Sequence, residues 1–566
     1  MCGILLTNRA IVNLGDALMY LKPRGPDHTS LVRRGDYTFI HTLLSITGEV
    51  TPQPFVNDSG DVMAIYNGEI YNYHEFGEVP SDGLCLISAY EKYGDDFVCH
   101  LDGEFALVLI DFEQMKLIFS TDVFSTKPMW FAAEGGEFGI SSYEHPLQSL
   151  GFNEPIQVEA NSTYVIDLDT LTIKSRKDVH TFDLRQHKTN FDDWNSAFSD
   201  AIAKRTQNLR ESLFIGLSSG YDSGAIACEL TRQEVDFFAY SIVGSEPEDT
   251  IRARLNRIKK GEILEFPLDS FIESKNRLRE FTDQYYLTID NGEQRIIDSL
   301  QQELTKLNHQ LDSNKESMDQ QKRHKKDGQT GEEIIKTKRK IDEYSNVLEY
   351  RKHSQLLADD NGAIGLNFIV EQGIRDGRKV YLSGSGADEI FSDYGFMGVR
   401  HYSHSTLGGL FPDKLESVFP WKNFFDNTQR AYLAKEEYIC GANGVEGRYP
   451  FLDAAVVQEF LWLTPSMKNQ YYKSVLRQFL VQHDFPFDEN KKLGFNCGFS
   501  SNMGSIGPFS EGGTYKPIES TMDPRLRPFT SVGVPFDEFR VVESSQWQDN
   551  SGVRYRPLRI LDHLTK

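Results

Sequence analysis

LFIGLSSGYDSGAIACELT, residues Leu213–Thr231, decides the fold. Leu213-Phe214-Ile215-Gly216-Leu217 is a short apolar run of the kind buried in a parallel sheet. Ser218-Ser219-Gly220-Tyr221-Asp222-Ser223 is a polar turn, and Gly224 to Leu230 has helical spacing. A strand that passes through a tight turn into a helix N-terminus aims backbone N–H groups and the positive end of the helix at a bound anion. The hydroxyls of Ser218, Ser219 and Ser223 add donors. The GxxxxGK(S/T) spacing of the Walker loop is absent. A carboxylate in a phosphate-facing turn is unfavourable unless a cation stands between, so Asp222 points to Mg2+ bridging a polyphosphate. An ordinary βα turn in a doubly wound sheet is the competing reading.

This stretch resembles the SGGxDS pyrophosphate loop of ATP pyrophosphatases that activate a carboxylate or carbonyl as an adenylate, with Ser219 at the first family glycine. Composition sets the outer bounds. A chain of 566 residues suits two or three domains. Hydrophobic content of 39% and aromatic content of 12% supply the cores. The balance of 60 basic against 83 acidic residues argues against nonspecific binding to nucleic acid or anionic membrane. The cysteines at positions 2, 85, 99, 228, 440 and 497 form no CxxC pair, which speaks against a disulfide framework and for a reducing, cytoplasmic setting. Met-Cys-Gly-Ile is not followed by the charged and apolar regions of a signal peptide, and no run approaches the ~18 apolar residues of a membrane span.

Near the N-terminus, removal of Met1 would leave Cys2 with a free α-amine of pKa near ~8, able to act as base for its own thiol. Arg24-Gly25-Pro26-Asp27 forms a rigid charged turn. Tyr66-Asn67-Gly68-Glu69-Ile70-Tyr71-Asn72 places an amide, a flexible glycine and a carboxylate after a strand at Val62-Met63-Ala64-Ile65. Ser81-Asp82 precedes a helical segment from Gly83 to Tyr93, and Asp102-Gly103-Glu104-Phe105 enters a buried strand.

In this order MCGI, RGPD, NGEIYN, SD and DGEFA resemble the class II glutamine amidotransferases over about residues 1–180. The resemblance implies an αββα glutaminase of the Ntn type. Cys2 attacks the glutamine amide, and Asn67 and the Gly68 N–H hold the oxyanion. Glu69 and Asp82 grip the amino end, and Leu44, Ile46 and Thr47 line the glutamine site. The family places Arg where Leu43 stands, so either another cation, with Arg24 as candidate, binds the glutamine carboxylate or glutamine binds weakly.

The boundary is placed near residue 190, with a second domain over 191–507 and an extension over 508–566. Phe237 to Gly244 and Glu262 to Phe266 read as strands around a basic helix, Ile251 to Lys260. Residues 275–353 interrupt this pattern. Ile297, Leu300, Leu304, Leu307 and Leu311 recur at helical spacing, and Ile334, Ile341, Tyr344 and Leu348 continue the seam. They predict a helical hairpin, read first as a surface insertion and second as an oligomer or partner contact, such as a homodimer.

Val380 to Phe391 runs a strand into Ser383-Gly384-Ser385-Gly386-Ala387-Asp388-Glu389, with Asp388 able to join Asp222 on Mg2+. This resembles the family's SGEGADE, with Ser385 in place of the glutamate that handles the aspartyl adenylate; Glu389 is then the nearest carboxylate in sequence. Gly444 to Asp453 matches GVExRxPFLD, with Arg448 read as structural rather than phosphate-binding. Lys492 stands where the family places a basic residue over pyrophosphate.

The whole resembles glutamine-dependent asparagine synthetases. The resemblance implies a doubly wound parallel-sheet ATP-pyrophosphatase domain, with ATP and Mg2+ required. ATP would be held by Leu217, Ser218, Ser219, Gly220, Asp222, Ser223, Ile242, Ser383 and Gly384, and the substrates would be glutamine, ATP and aspartate. Another carboxylate acceptor and a non-catalytic scaffold are the alternatives.

Overall fold

The computed structural model describes residues 2–243, 247–282, 291–322, 334–338, 340–341, 344–345, 348, 357–401 and 404–488. Lys492, Cys497 and the 508–566 extension lie outside the described residues.

Twelve strands over residues 3–177 pair antiparallel into two six-stranded sheets. The first sheet has the order β10 (Ile156–Gln157), β8 (Trp130–Glu134), β9 (Glu137–Ser141), β1 (Gly3–Thr7), β3 (Tyr37–Leu43), β2 (His28–Arg34). The second has the order β12 (Ile173–Lys177), β11 (Ser162–Asp167), β7 (Lys116–Thr121), β6 (Gly103–Asp111), β5 (Val62–Ile70), β4 (Phe55–Val56). Side chains alternate between faces along a strand, so each sheet has an inner set. Ile4, Leu6 and Phe39 of the first meet Ile65, Val108 and Phe119 of the second in one core. Helix Cys85–Tyr93 covers the far face of the second sheet. Its Leu86, Ala89 and Tyr90 form an apolar stripe against Ala64 and Leu107, and the helix stops at Gly94 with φ +57°. Ala17 and Leu147, from short helices on the other side, pack in one core with Leu5 and Ile40. The layers are helix, sheet, sheet, helix.

One strand differs from the sequence reading. β5 does not stop at Ile65; it runs on through Asn67, Gly68 and Glu69, pairing Gly68 with Phe105 and Glu69 with Glu104. Gly68, read as a flexible residue after the strand, lies within it and is required by closeness. At φ +144°, a Cβ there would lie 2.0 Å from the Glu104 carbonyl oxygen.

The second domain carries a five-stranded parallel sheet in the order β15 (Gly261–Leu264), β14 (Phe237–Ile242), β13 (Ser212–Gly216), β16 (Arg378–Leu382), β19 (Glu446–Arg448); β17 (Gly395–Phe396) and β18 (Val399–Arg400) form a small separate hairpin. From β13 the chain winds outward to β14 and β15, then returns to add β16 and β19 on the other side. The loops after β13 and β16 therefore leave from neighbouring strands at the switch point, where open α/β sheets bind ligands. Helix Tyr221–Arg232 begins at Tyr221, earlier than the spacing from Gly224 indicated, so Asp222 sits in its first turn beside the positive helix end.

Helix Leu268–Thr282 is continuous through residue 275 and belongs to the packed core. Phe271 and Leu278 are buried, and Ser274 Oγ donates to the Ile364 carbonyl at 3.0 Å. A separate helix, Asn291–Lys322, buries Leu300, Leu307 and Leu311. Ile334 and Thr337 are buried in a further helical stretch.

The two domains are joined by ion pairs out of reach of water. Glu437, on helix Thr428–Ala442, receives Arg24 Nη2 at 3.0 Å and Lys127 Nζ at 3.0 Å from the first domain. Arg205 lies between Glu104 of β6 (2.7 Å) and Asp453 (2.9 Å). Arg448 reaches Glu69 of β5 at 2.9 Å. Removing one member of a buried network strands its partners' charge. Arg205→Met should therefore lower stability by about 3–5 kcal/mol in urea denaturation. A loss below about 1 kcal/mol would mean that this pairing does not hold the interface.

Candidate active site

Cys2 sits at the entry of β1, on the first sheet, facing the Asn67 step of β5 on the second. Cys2 N donates to Asn67 Oδ1 at 2.7 Å. That bond consumes the acceptor of the amide and leaves its donor: Asn67 Nδ2 is buried without a partner among the described residues. A buried donor beside a thiol is what a developing oxyanion requires. Burial pushes the Cys2 thiol up, so a base must act before it can attack. Leu44 and Ile46 are buried next to this point, and the Leu44 carbonyl lies 4.0 Å from Cys2 Sγ.

Thr47, Glu69 and Asp82 stand together on the wall of a cavity of about 740 Å³, with Arg448, Lys204 and Arg210 of the second domain opposite. Thr47 Oγ1 is 2.8 Å from each Glu69 carboxylate oxygen. Burial pushes Glu69 up to about 8, with Arg448 pulling the other way. Asp82 accepts from Tyr66 Oη (2.7 Å) and Ile70 N (2.8 Å), and burial raises it too. Two carboxylates held against their preference for water suit an arriving ammonium group.

Arg24 is not available to a ligand. It is fully buried, with Nε on the Cys2 carbonyl at 2.9 Å and Nη1 on Tyr143 Oη, besides its bond to Glu437. Its role as the cation for a glutamine carboxylate is thereby overturned: RGPD holds the Cys2 backbone to the second domain. Leu43 is buried on β3. Two cations line the cavity from outside the motifs, Lys204, which is paired with Asp102 and Asp453, and Arg210. Its backbone N donates to the Ile46 carbonyl and its Nη1 to the Gly48 carbonyl, both at 2.9 Å. Arg448, read as structural, proves to be a bridge to Glu69, with Nε also on Glu446 at 2.7 Å.

At the switch point, the β13 loop is a set of internal hydrogen bonds. Ser218 N and Oγ both meet Ser223 Oγ, at 3.1 and 2.8 Å, and Gly220 N donates to Ser218 Oγ at 3.1 Å. Beneath it, buried Arg254 donates from Nη1 to the carbonyls of Ser218 (2.5 Å) and Gly220 (2.8 Å). Those carbonyls turn down to Arg254. Leu217 N pairs with the Tyr240 carbonyl at 2.7 Å, and Ile242 ends β14 beside it. Across the cleft, a Cβ on Gly384 would fall 2.9 Å from Asp222 Cβ, so the Ser383-Gly384-Ser385 loop packs directly on the β13 loop.

Lys473 was not singled out in the sequence, yet it occupies the centre. Its Nζ lies 2.6 Å from Asp222 Oδ1 and 2.9 Å from Asp388 Oδ1. Tyr472 Oη donates to the same Asp388 oxygen at 2.9 Å. Burial opposes the ammonium charge, but Asp222 and Asp388 outweigh it and hold Lys473 above the ordinary lysine value. The residue has φ +47°, a conformation that non-glycine residues adopt at a cost and mostly where function demands it. Asp222 and Asp388 thus converge as expected, about a cation the chain itself supplies.

Residues 1–182 match the glutamine amidotransferase domain family, and residues 422–502 match the asparagine synthase family. The latter span includes Glu436, Arg448 and Lys473. A glutamine-hydrolysing asparagine synthetase of Triphysaria versicolor is 24% identical over 522 residues, covering 86% of this chain and 75% of its own length. A Methanocaldococcus jannaschii protein, whose asparagine synthetase name is provisional, is 24% identical over 455 residues, covering 75% of this chain and 69% of that one. The Zea mays enzyme of the same name is 32% identical over 164 residues, 24% of this chain and 27% of its own length.

Lys473→Met leaves Asp222 and Asp388 facing each other without their shared cation. Nucleotide-dependent turnover should fall by about 100-fold or more, while the rate of Cys2 alkylation stays unchanged. Turnover within a few-fold of the parent would remove Lys473 from the centre.

Proposed function

We propose that the chain is a glutamine-hydrolysing asparagine synthetase, amidating an ATP-activated aspartate with ammonia released from glutamine at Cys2. The observation that carries this reading is the meeting of Asp222, Lys473 and Asp388 at the switch point, in a chain that also sets Cys2 against Asn67.

At the glutamine end, removal of Met1 frees the Cys2 α-amine to take the thiol proton. The thiolate attacks the side-chain amide carbon, with Asn67 Nδ2 and the Gly68 N–H receiving the oxyanion. Ammonia leaves, and water cleaves the thioester to glutamate. Glu69 and Asp82 hold the ammonium group of the substrate. Arg210, in place of the cation missing at Leu43, receives its carboxylate.

At the synthetase end, the aspartate carboxylate attacks the α-phosphorus of ATP and pyrophosphate departs. Ser218, Ser219, Gly220 and Ser223 cradle the phosphates, and Lys473 offsets charge on the leaving group. Asp222 and Asp388 would also hold Mg2+. Their oxygens suit a hard cation that takes one or two carboxylates and completes its shell with substrate phosphates. No group of three or more His, Cys, Asp or Glu suited to a metal occurs among the described residues. The ion, when bound, neutralises charge on the polyphosphate. Ammonia then crosses inside the protein and displaces AMP.

The acidic balance of the chain supports small-molecule substrates over nucleic acid. No helix among the described residues is long and apolar enough to cross a membrane. We place the protein in the cytoplasm and read the helix Asn291–Lys322 first as part of a surface insertion and second as a contact for a homodimer.

Cys2→Ala should abolish asparagine formation from glutamine and preserve it from ammonia; equal loss of both would contradict separate sites. Arg210→Ala should raise KM for glutamine by about 10-fold or more with kcat little changed, the mark of lost uniform binding. An unaltered KM would leave the carboxylate to another group. The acceptor is tested by product analysis with ATP, Mg2+, ammonia and a panel of carboxylates. Pyrophosphate release with another carboxylate, and none with aspartate, would transfer the reading to that acceptor.

A further inference from the structure

Ser385 brings a hydroxyl to the point of the synthetase loop where a carboxylate was expected, and Glu389 does not make up for it. Glu389 is turned into the protein: its carboxylate takes the Tyr394 hydroxyl, and its carbonyl takes Trp421 Nε1 at 2.8 Å. The carboxylate that reaches Ser385 comes from fifty-one positions further along the chain. Ser385 Oγ donates to Glu436 Oε1 at 2.8 Å, and Ser385 N donates to Ser383 Oγ at 3.0 Å, so the hydroxyl is held at both ends of its residue.

The second oxygen, Glu436 Oε2, is buried and has no partner among the described residues. A buried carboxylate oxygen without a bonded donor is costly, and beside the Ser383 hydroxyl it retains capacity to accept a further proton. No neighbouring cation bonds to it, although Lys435 acts on the carboxylate through its charge. Glu437 turns to Arg24 and Lys127, and Lys435 Nζ turns to Asp360 at 3.4 Å. Burial pushes the Glu436 carboxyl up, and the Ser383 and Ser385 hydroxyls pull it back. Between those serines, Gly384 packs on Asp222. Ser385 therefore follows directly on the residue that packs against Asp222, and Glu436 reaches the centre's edge through Ser385.

We infer that Ser385 and Glu436 form a proton relay for the amide-forming half-reaction. This rests on the synthetase reading above. The ammonia nitrogen forms its bond to the acyl carbon of the adenylate. Its surplus proton passes to Ser385 Oγ as the hydroxyl proton passes to Glu436 Oε1. The acyl C–O bond then breaks, and AMP leaves with the electron pair on its phosphate oxygen. Glu436 acts through Ser385 and is a positioning residue that also accepts the proton. Adenylation itself moves no proton at this point and does not need the pair.

The test separates the two halves in the full-length protein. Glu436→Gln should keep ATP–pyrophosphate exchange with aspartate within about 3-fold while amide formation from ammonia falls about 100-fold, the scale of a lost proton acceptor. Ser385→Ala should show the same split, and Glu436→Asp should recover part of the loss. Adding Ser385→Glu to Glu436→Gln returns a carboxylate to the loop and should restore amide formation. Exchange and amide formation falling together, or no recovery in the double variant, would overturn the relay alone. Absence of exchange in the parent protein with any carboxylate would overturn the synthetase reading and the relay with it.

Discussion

Glu437 is a carboxylate almost wholly removed from water, and the arrangement of the molecule follows from the cations it must have. Arg24 and Lys127 come to it from the glutaminase side, and the Tyr449 hydroxyl comes from its own domain at 3.1 Å. A buried charge tolerates neither rotation of the domains nor the loss of a partner, because desolvation has already been incurred and only the pairing offsets it. Glu104 repeats the pattern in the opposite sense, a glutaminase carboxylate met by Arg205. These contacts also reach the chemistry. The guanidinium that answers Glu437 holds the Cys2 carbonyl, and the one that answers Glu446 holds Glu69.

Helix Thr428–Ala442 is consequently the shared element of the two sites. Successive residues on a helix point about 100° apart. Glu437 is directed at Arg24, while its neighbour Glu436 is directed at the Ser385 loop. A displacement of this helix would be felt at Cys2, through Arg24, and at the Ser385 loop together. Hydrogen-bonded carboxylates one residue apart give the two domains a common reference.

The parts of the site carried by contiguous motifs were legible in the sequence. Cys2, Asn67, Glu69 and Asp82 come together as their motifs imply, and Asp222 and Asp388 converge from two strand ends. What stayed hidden comes from residues with no local signature. Lys473 and Arg254 are basic residues whose significance lies in tertiary placement alone, and Arg210 gains its position from the docking of one domain on the other. Glu436 could be found only once Ser385 had been seen to need a partner. Arg24 was assigned the wrong task because a charged turn gives no sign of its burial. Asn67-Gly68 read as lying after the strand because a flexible glycine gives no sign of the close strand approach that Gly68 makes within β5.

The central claim is that the two sites, fixed on one buried seam, operate on a common pool of nitrogen enclosed by the protein. The most direct measurement supplies glutamine isotopically labelled in its amide nitrogen, together with excess unlabelled ammonium, and reads the label in the asparagine formed. Enclosed transfer predicts asparagine enriched in label well above the proportion in bulk ammonium. Label at the bulk proportion would mean that ammonia escapes to solvent between the sites, and the account of a joined pair of active sites would be contradicted.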